Sequence, residues 1–400
     1  MKIAFDALPL LGRKTGIGFC ADGQIRAMTT FHVEHQFVLN YFAVKNLEQH
    51  KQEMNAYLSG HQNISVRHAF CSPYLYRLLS GFLPVSYQWF FGSDCQITHF
   101  FNYIVPPGVS GKSVVTIHDM VYQAFPETVR GRTRRMLDLG LVKSMRRADR
   151  IVTDSEFSKS EIMKYYPEFA AKIRVVPCGV NLEKFHPVTD QKQIRNILKK
   201  YHVRSPYFLY LGTIEPRKNL ERLMQAYARF LSTHANSSDS SENLPQLVLA
   251  GAKGWKNESL FRTIQQLHLE KNVLFTEYIA DPDLCAVLSG ALAFVFPSIY
   301  EGFGMPPLEA MACGTPVLVS DAASLPEVTG TSAVIVPPED IQAMANGLEL
   351  LYTDSALRKR LRAEGLARAT QFSWERSAKL LYQVYEELLD ESKKSEKSGK

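Results

Sequence analysis

Short runs of β-branched and aromatic residues alternate with segments of helical period along nearly the whole 400-residue chain. Such alternation predicts parallel sheets built from strand–helix units. The predicted strands of the first half are 2–5, 36–42, 63–68, 96–101, 113–117, 150–153 and 173–176. Those of the second half are 207–212, 246–251, 272–275, 292–296, 316–319 and 332–336. Two successive series of this kind predict two doubly wound α/β domains.

A segment punctuated by Pro and Gly, residues 176–181, separates the two series and is typical of a hinge. We therefore expect one domain over residues 1–180 and a second over 181–372. A closing helix is predicted over 373–389. The charged segment 390–400 is predicted to be a flexible tail, because chain ends fray unless contacts hold them.

The amino-acid composition favours a folded globular protein and argues against several other classes. With 46% apolar and 22% charged residues, the chain has the make-up of a folded globular protein rather than a disordered or fibrous one. The six cysteines are scattered without a Cys-x-x-Cys pair, which argues against a zinc module or a disulfide scaffold. An acidic residue follows the start too soon for a signal peptide, and no apolar run is long enough to span a bilayer. A cytoplasmic protein is expected.

The charge is unevenly distributed. Of the net charge of +6, residues 1–180 carry 21 Lys and Arg against 14 Asp and Glu, which is an excess of +7. Much of this excess lies in the stretch 130–150, where eight basic residues accompany only Asp138 and Asp149. Such a stretch is typical of attraction to an anionic surface, either nucleic acid or acidic lipid. A solvated helix face explains it equally well.

Two features of the first half lie where ligands bind in parallel α/β folds. The loop after the first strand holds Gly16 and Gly18 before a helical segment, which would let the backbone approach a phosphate. Its spacing departs from Gly-x-Gly-x-x-Gly, so a flexible loop remains an alternative. His118 directly follows the strand 113–117, at the carboxyl edge of the predicted sheet. It is either a donor to a substrate hydroxyl or a structural histidine.

The second half contains two sharper motifs. The strand 207–212 leads into Arg217 and Lys218 just before a helix, where two cations would converge on a diphosphate, with Asn219 as the predicted N-cap. The strand 292–296 leads to Glu301, a glycine loop, and Glu309 in the predicted first turn of a short helix. Helix capping would explain Glu309 and would leave Glu301 unexplained.

These residues carry a resemblance to a known family. The run 301–316, with its Glu-x7-Glu spacing, and the segment 212–219 resemble the retaining glycosyltransferases of the GT-B fold, group 1 (family 4) type, especially mannosyltransferases. Further agreement covers 15–18, 116–119, 153–158 and 177–181, so the resemblance extends over residues 1–385. It implies two Rossmann-like domains facing each other across a cleft, with the acceptor on the side of the N-terminal domain and the nucleotide sugar in the C-terminal one.

The resemblance also implies a role for each matching residue. His118 and Glu301 would be the catalytic residues, with His118 contacting the sugar and Glu301 lying against its reacting face. Glu309 would bind the donor ribose. The diphosphate would be held by Gly16, Arg217 and Lys218, and the sugar by Gly302, Phe303, Gly304 and Met305. One departure from the family pattern is Thr213, where many relatives carry Arg.

No cofactor or metal is expected beyond the co-substrate, a GDP-mannose or a UDP-sugar. Breaking the anomeric bond leaves negative charge on the diphosphate, and Lys218, Arg217 and helix dipoles would stabilise it without a metal ion. The segment Asp281-Pro282-Asp283 matches an Asp-x-Asp metal motif formally, but it begins a predicted helix and is interpreted as capping.

The acceptor is harder to identify. Aromatic residues of segment 74–91 precede the basic stretch in the same domain, a combination typical of a peripheral enzyme on an anionic membrane. The expected acceptor is therefore a lipid-linked glycan at the inner face of the cell membrane. The alternatives are a UDP-sugar-dependent transferase with another acceptor, a nucleic-acid-binding protein that uses the basic stretch, and an inactive relative that only binds.

Overall fold

The computed structural model describes residues 1–12, 14–59, 62–83, 85–234, 244–252, 254–255 and 257–398. The chain divides into two compact units, one formed by Met1–Gly179 with Trp374–Lys400 and the other by Val180–Ser373. Each unit is an α/β fold around a parallel sheet, so the predicted fold class of two Rossmann-like domains is confirmed. The thirteen strands among the described residues fall within two residues of their predicted ends.

The sheet of the first unit has the strand order β3-β2-β1-β4-β5-β6-β7. Its strands are β1 (Lys2–Asp6), β2 (Gln36–Phe42), β3 (Ile64–Ala69), β4 (Ile97–Phe100), β5 (Lys112–Thr116), β6 (Arg150–Thr153) and β7 (Ile173–Val175). The helices before the second unit are α1 (Gly16–Phe31), α2 (Leu47–Leu58), α3 (Pro73–Phe82), α4 (Gln88–Phe91), α5 (Val121–Ala124), α6 (Gly131–Arg147) and α7 (Glu156–Tyr165). The strand order reverses between β1 and β4, and ligands bind at such a switch point.

The sheet of the second unit has the order β10-β9-β8-β11-β12-β13. Its strands are β8 (Tyr207–Leu211), β9 (Gln246–Ala250), β10 (Val273–Glu277), β11 (Ala293–Phe296), β12 (Val317–Ser320) and β13 (Val334–Val336). Its helices are α8 (Gln191–Lys200), α9 (Leu220–Thr233), α10 (Glu258–Gln266), α11 (Asp281–Gly290), α12 (Met305–Ala312), α13 (Leu325–Thr329), α14 (Ile341–Thr353) and α15 (Ser355–Ala369). The order reverses between β8 and β11, which makes the loops after these two strands neighbours.

The last helix, α16 (Trp374–Ser398), belongs to the first unit. Its Tyr385 is fully buried, and the Tyr385 hydroxyl lies 2.6 Å from Nδ1 of His99 on β4. Helix α16 extends nine residues beyond its predicted end at residue 389, and the flexibility of segment 390–400 stays a prediction. Ion pairs join α16 to the sheet, with Glu387 bound to Arg174 on β7 and Glu391 bound to Arg150 on β6.

Candidate active site

The loop after β8 places two cations at the switch point of the second unit. Pro216–Lys218 form a single 3-10 turn, and Asn219 follows in the left-handed region with a φ of 60°. Asn219 is the N-cap of α9, as predicted, but its side chain makes no capping hydrogen bond. Instead, its amide donates to the carbonyls of Pro297 at 3.1 Å and Pro338 at 2.7 Å, because the left-handed backbone turns the side chain away from the helix amides. Asn219 therefore ties this loop to the loop after β11.

The loop after β11 runs from Pro297 to Gly304 and enters α12. Gly304 has a φ of 108°, a conformation that favours glycine, and is the N-cap of α12. The hydroxyl of Ser324 donates to the carbonyls of Glu301 at 2.9 Å and Phe303 at 2.7 Å. These contacts fix the backbone of the loop. The amides of Phe303 and Gly304 are buried and donate to no acceptor among the described residues. Their predicted contact with sugar hydroxyls stays a prediction.

The two loops bring Arg217, Lys218 and Glu301 into direct contact. Nζ of Lys218 donates to Oε1 of Glu301 at 2.5 Å, and Nη1 of Arg217 donates to Oε2 at 2.8 Å. Nε of Arg217 also contacts Glu215 at 2.7 Å. Lys218 is 6% exposed and Glu301 is 8% exposed, so the contacts lie in a region of low dielectric.

These contacts shift the pKa values of Glu301 and Lys218. Burial alone raises the pKa of Glu301, but Arg217 and Lys218 outweigh burial and bring it to about 2. Burial and the neighbouring Arg217 lower the pKa of Lys218, while Glu301 opposes that shift. The Lys218 ammonium also lies 4.7 Å from the ring centroid of Phe296, where a cation is attracted to the ring face. Glu301 is ionised throughout the physiological range, and two side chains fix its orientation.

Glu309 lies on α12, further along the same segment. The helix begins at Met305, so Glu309 is its fifth residue and the prediction of a first-turn position is wrong. The reason is that α12 begins at Met305, two residues before Pro307, whose residue type favours the first position of a helix. Burial raises the pKa of Glu309 to about 8; Asp281 and Cys285 add to this increase and Lys184 opposes it. Its carboxyl group makes no hydrogen bond to the described part of the chain, which leaves it available to a hydroxyl group.

The raised pKa of Glu309 predicts a pH-dependent stability. The folded protein binds this proton more tightly than the unfolded chain, whose pKa is near 4.5, so ionisation opposes folding between that pH and about 8. We expect Glu309→Gln to be more stable than the wild type at pH 8 to 9, with the difference vanishing towards pH 4. Urea unfolding of both proteins across this pH range checks it. A pH-independent difference would contradict the assignment.

In the first unit, His118 follows β5 and forms a buried pair with Asp154, which follows β6. Nδ1 of His118 lies 2.6 Å from Oδ2 of Asp154, and Nε2 lies 2.8 Å from the carbonyl oxygen of Phe101. Both partners are acceptors, so both ring nitrogens carry hydrogen and the ring is an imidazolium. Burial lowers the pKa of His118, but Asp154 more than compensates and raises it to about 10. Contact of His118 with a sugar stays a prediction.

Gly16, the first residue of α1, differs from its neighbour Gly18. A Cβ atom added at Gly16 would meet nothing within 4 Å, whereas one at Gly18 would lie 2.6 Å from the carbonyl oxygen of Pro9. The packing of the described residues therefore requires glycine at position 18 and not at position 16. The open space at Gly16 is compatible with the predicted approach of a phosphate.

The structure thus assembles part of the predicted site within each unit. Arg217, Lys218 and Glu301 touch one another, the loop Gly302–Met305 continues from them, and Glu309 follows on α12. His118 and Gly16 belong to the first unit. Sequence reasoning assigned no role to Asp154 or Ser324. The position of Asp154 could have indicated its contact with His118, because Asp154 follows β6, which pairs with β5, the strand before His118.

The two carboxylates of the Asp-x-Asp segment lie in the first turn of α11, and Ala280 rather than either aspartate is the N-cap residue, contrary to the prediction. Cations and tyrosines contact both carboxylates. Asp281 contacts Lys184 at 2.7 Å and accepts from the Tyr278 hydroxyl at 3.0 Å. Asp283 contacts Lys200 at 2.6 Å and accepts from the Tyr201 hydroxyl at 2.7 Å.

Comparison with known proteins identifies the family. Residues 190–368 match the family of glycosyl transferases group 1, and residues 22–184 match glycosyltransferase family 4. The O-antigen chain mannosyltransferase B of Escherichia coli is 34% identical over 280 residues, 70% of this chain and 71% of that protein. The chain belongs to these glycosyltransferase families. The enzyme is also 30% identical to the serotype-specific mannosyltransferase WbdA of Escherichia coli over 291 residues, 72% of this chain but 35% of that protein.

Solved structures share the fold of the glycosyltransferase. HepE of Anabaena, in complex with UDP and glucose, superposes with a TM-score of 0.71 at 17% identity, covering 97% of this chain and 100% of that one. Sucrose-phosphate synthase of Thermosynechococcus elongatus gives a TM-score of 0.72 at 22% identity, covering 97% and 99%. These likenesses show the two-domain fold known as GT-B.

Proposed function

We propose that the glycosyltransferase moves mannose from GDP-mannose to a hydroxyl of a growing glycan, with retention of the anomeric configuration and without a metal ion. The observation that carries the proposal is the buried contact of Arg217 and Lys218 with Glu301 at the switch point of the second unit. The identity to two mannosyltransferases supports mannose as the sugar. A UDP-sugar is the second candidate, since the structural neighbour HepE was crystallised with UDP and glucose.

The chemistry explains why these side chains suit the reaction. As the bond between the anomeric carbon and the diphosphate breaks, its electron pair goes to the diphosphate oxygen and positive charge develops on the sugar. Arg217 and Lys218 would stabilise the leaving diphosphate, because preorganised cations in a site of low dielectric stabilise developing negative charge. The ionised Glu301 would lie against the positive sugar. The unpaired amides of Phe303 and Gly304 would bind sugar hydroxyls, and Glu309 would accept from the ribose.

A donor experiment tests the proposal. The full chain is incubated with GDP-mannose, UDP-glucose or UDP-galactose in water, and released nucleoside diphosphate is measured with and without EDTA. We expect GDP release from GDP-mannose that survives EDTA. With a hydroxyl acceptor present, proton NMR of the first product formed should show the α-anomer of mannose. Complete loss of activity in EDTA that magnesium restores would contradict metal independence, and a β-anomer would contradict retention.

We further propose that the first unit rests on an anionic membrane and that the acceptor is lipid-linked. Helix α3 exposes 62% of Tyr74 and 47% of Leu75, and Trp89 on α4 is 67% exposed. The guanidinium of Arg132 on α6 lies 5.1 Å from the ring centroid of Tyr74, so an exposed apolar surface adjoins the basic helix. Apolar side chains beside cations suit an anionic bilayer surface. None of the described helices combines the length and apolar character needed to cross a bilayer.

The basic surface is smaller than the sequence predicts. Arg150 is only 8% exposed and pairs with Glu391 on α16, because it lies on the buried strand β6. The five arginines of α6 are all exposed: Arg132, Arg134, Arg135, Arg146 and Arg147.

Replacement of these five arginines by glutamine should weaken binding to anionic vesicles by several kcal/mol, at roughly 1 kcal/mol per charge near the surface. Co-sedimentation with neutral and anionic liposomes measures the effect. The matched control replaces Lys359 and Arg360, which are exposed on α15, and should bind as the wild type does. Donor hydrolysis in solution should not change in either variant. Equal binding of wild type to neutral and anionic vesicles would leave α6 as a solvated helix face.

A further inference from the structure

Two buried cysteines of the first unit lie side by side. Cys20 is on α1, four residues after Gly16, and Cys178 directly precedes Gly179, the last residue of the unit before the chain enters the second. Each is 2% exposed, and their Sγ atoms are 2.8 Å apart. No step of the proposed transfer reaction uses either thiol.

We propose that Cys20 and Cys178 are a site of reversible oxidation and form a disulfide bond. A disulfide joins sulfurs at about 2.05 Å, so the two Sγ atoms need to approach by less than about 1 Å. Both residues are free thiols in the structure. The bond would connect α1, whose first residue is Gly16, to the segment at the boundary of the unit.

The neighbouring Asp154 carboxylate can accept the proton that the Cys20 thiol loses. Cys20 donates to Oδ1 of Asp154 at 3.8 Å, and the other oxygen of this carboxylate binds the His118 imidazolium. With hydrogen peroxide as oxidant, the sulfur of Cys20 attacks one peroxide oxygen, the O–O bond breaks, and a sulfenic acid and water form. Cys178 then attacks that sulfur, the S–O bond breaks, and a second water leaves. Two thiols lose two electrons and peroxide gains them.

Cys20, Cys178 and Asp154 fit a metal site less well than they fit a disulfide bond. Cys20, Asp154 and Cys178 bring three possible ligand atoms within 4.8 Å of one another. A structural zinc ion takes four ligands, and no fourth His, Cys, Asp or Glu joins this group among the residues that the structure describes. One oxygen of Asp154 is already engaged by His118. Two thiolates on zinc would also stand about 3.7 Å apart, given Zn–S bonds of about 2.3 Å, so the sulfurs would have to separate.

Peptide mapping of the oxidised full-length protein tests the proposal. The protein is treated with hydrogen peroxide, its remaining thiols are alkylated, and its peptides are analysed by mass spectrometry. We expect a peptide pair joined through Cys20 and Cys178 that dithiothreitol separates. Both thiols are buried, so peroxide reaches them only when the structure opens locally. Disulfide formation should therefore be slower than sulfenic acid formation at the partly exposed Cys71. A Cys178→Ser variant should give no such pair, and the matched control Cys71→Ser should give it unchanged.

Thermal unfolding supplies a second measurement. Joining residues 158 positions apart restricts the unfolded chain, so oxidation should raise the unfolding midpoint of the wild type by roughly 5 °C or more. Oxidation of Cys71 without the Cys20–Cys178 pair would overturn the proposal, as would a disulfide found only between Cys285 and Cys313, the two cysteines of the second unit. Retention of one zinc ion per chain through dialysis against a chelator, with no disulfide, would also overturn it. The wild-type mapping decides the question even if Cys178→Ser fails to fold.

Discussion

Replacement of Lys218 by alanine should lower the rate of GDP-mannose turnover by roughly 100- to 1000-fold, the loss typical of removing one preorganised electrostatic contact to a developing charge. Lys218 is 6% exposed and its ammonium donates to Glu301 at 2.5 Å. The alanine variant would remove a cation from the diphosphate and one of the two side chains that orient Glu301. Steady-state kinetics with GDP-mannose measures both kcat and kcat/KM.

Two controls accompany this measurement. Lys359→Ala, on the exposed face of α15, should keep wild-type kinetics. Thermal unfolding of Lys218→Ala separates a loss of catalysis from a loss of folded protein, since Arg217 still binds Glu301 in the variant. A folded Lys218→Ala protein with turnover within about threefold of the wild type, less than about 0.7 kcal/mol, would contradict the assignment of Lys218 to the diphosphate.

Replacement of His118 by glutamine should destabilise the first unit by about 3 to 5 kcal/mol, because it leaves the buried Asp154 carboxylate without its counter-ion. The expected effect depends on pH. The pKa of His118 rises from 6.5 in the unfolded chain to about 10 in the fold, so its contribution is complete below pH 6.5 and is lost as the pH rises through about 10. Hydrogen-exchange mass spectrometry of β5 and β6 peptides at pH 6.5 and at pH 10.5 measures local stability.

Asp154→Asn is the matched control for the His118 experiment. If the two side chains form one ion pair, the double variant should lose less stability than the sum of the two single variants. Additive losses, or a His118→Gln effect that is as large at pH 10.5 as at pH 6.5, would contradict a buried imidazolium. A loss of turnover in a His118→Gln protein that remains folded would support its predicted contact with the sugar.

Much of the fold and the centre of the site follow from the chain alone. The strands of a parallel sheet are buried on both faces, so they stand out as short apolar runs such as Phe294–Phe296 between polar turns. Residues after such runs lie at the carboxyl edge of a sheet. By that rule Lys218, after β8, and Glu301, after β11, both lie at the carboxyl edge of their sheet, and the pairing of β8 with β11 makes them neighbours.

Residue preferences predicted the caps and first residues of helices less reliably, because the backbone conformation at a single residue can override such preferences. Asn is a frequent N-cap residue and Asn219 is the N-cap of α9, but its left-handed backbone directs the side-chain amide to the carbonyl of Pro297 in another loop. Helix α12 begins at Met305, two residues before Pro307, so Glu309 lies in its second turn. Caps and helix starts depend on single dihedral angles, and residue preferences constrain such angles weakly.

Only the tertiary structure decided which distant side chains meet. The sequence determined the thirteen strands, the two parallel sheets and the loops that carry Lys218 and Glu301, because these depend on local patterns of burial and turn residues. The pairing of His118 with Asp154, the contact of Cys20 with Cys178 and the attachment of α16 to the first sheet join residues 36, 158 and more than 200 positions apart. Such contacts leave no periodic pattern in the chain, because they depend on how the packed helices orient each side chain.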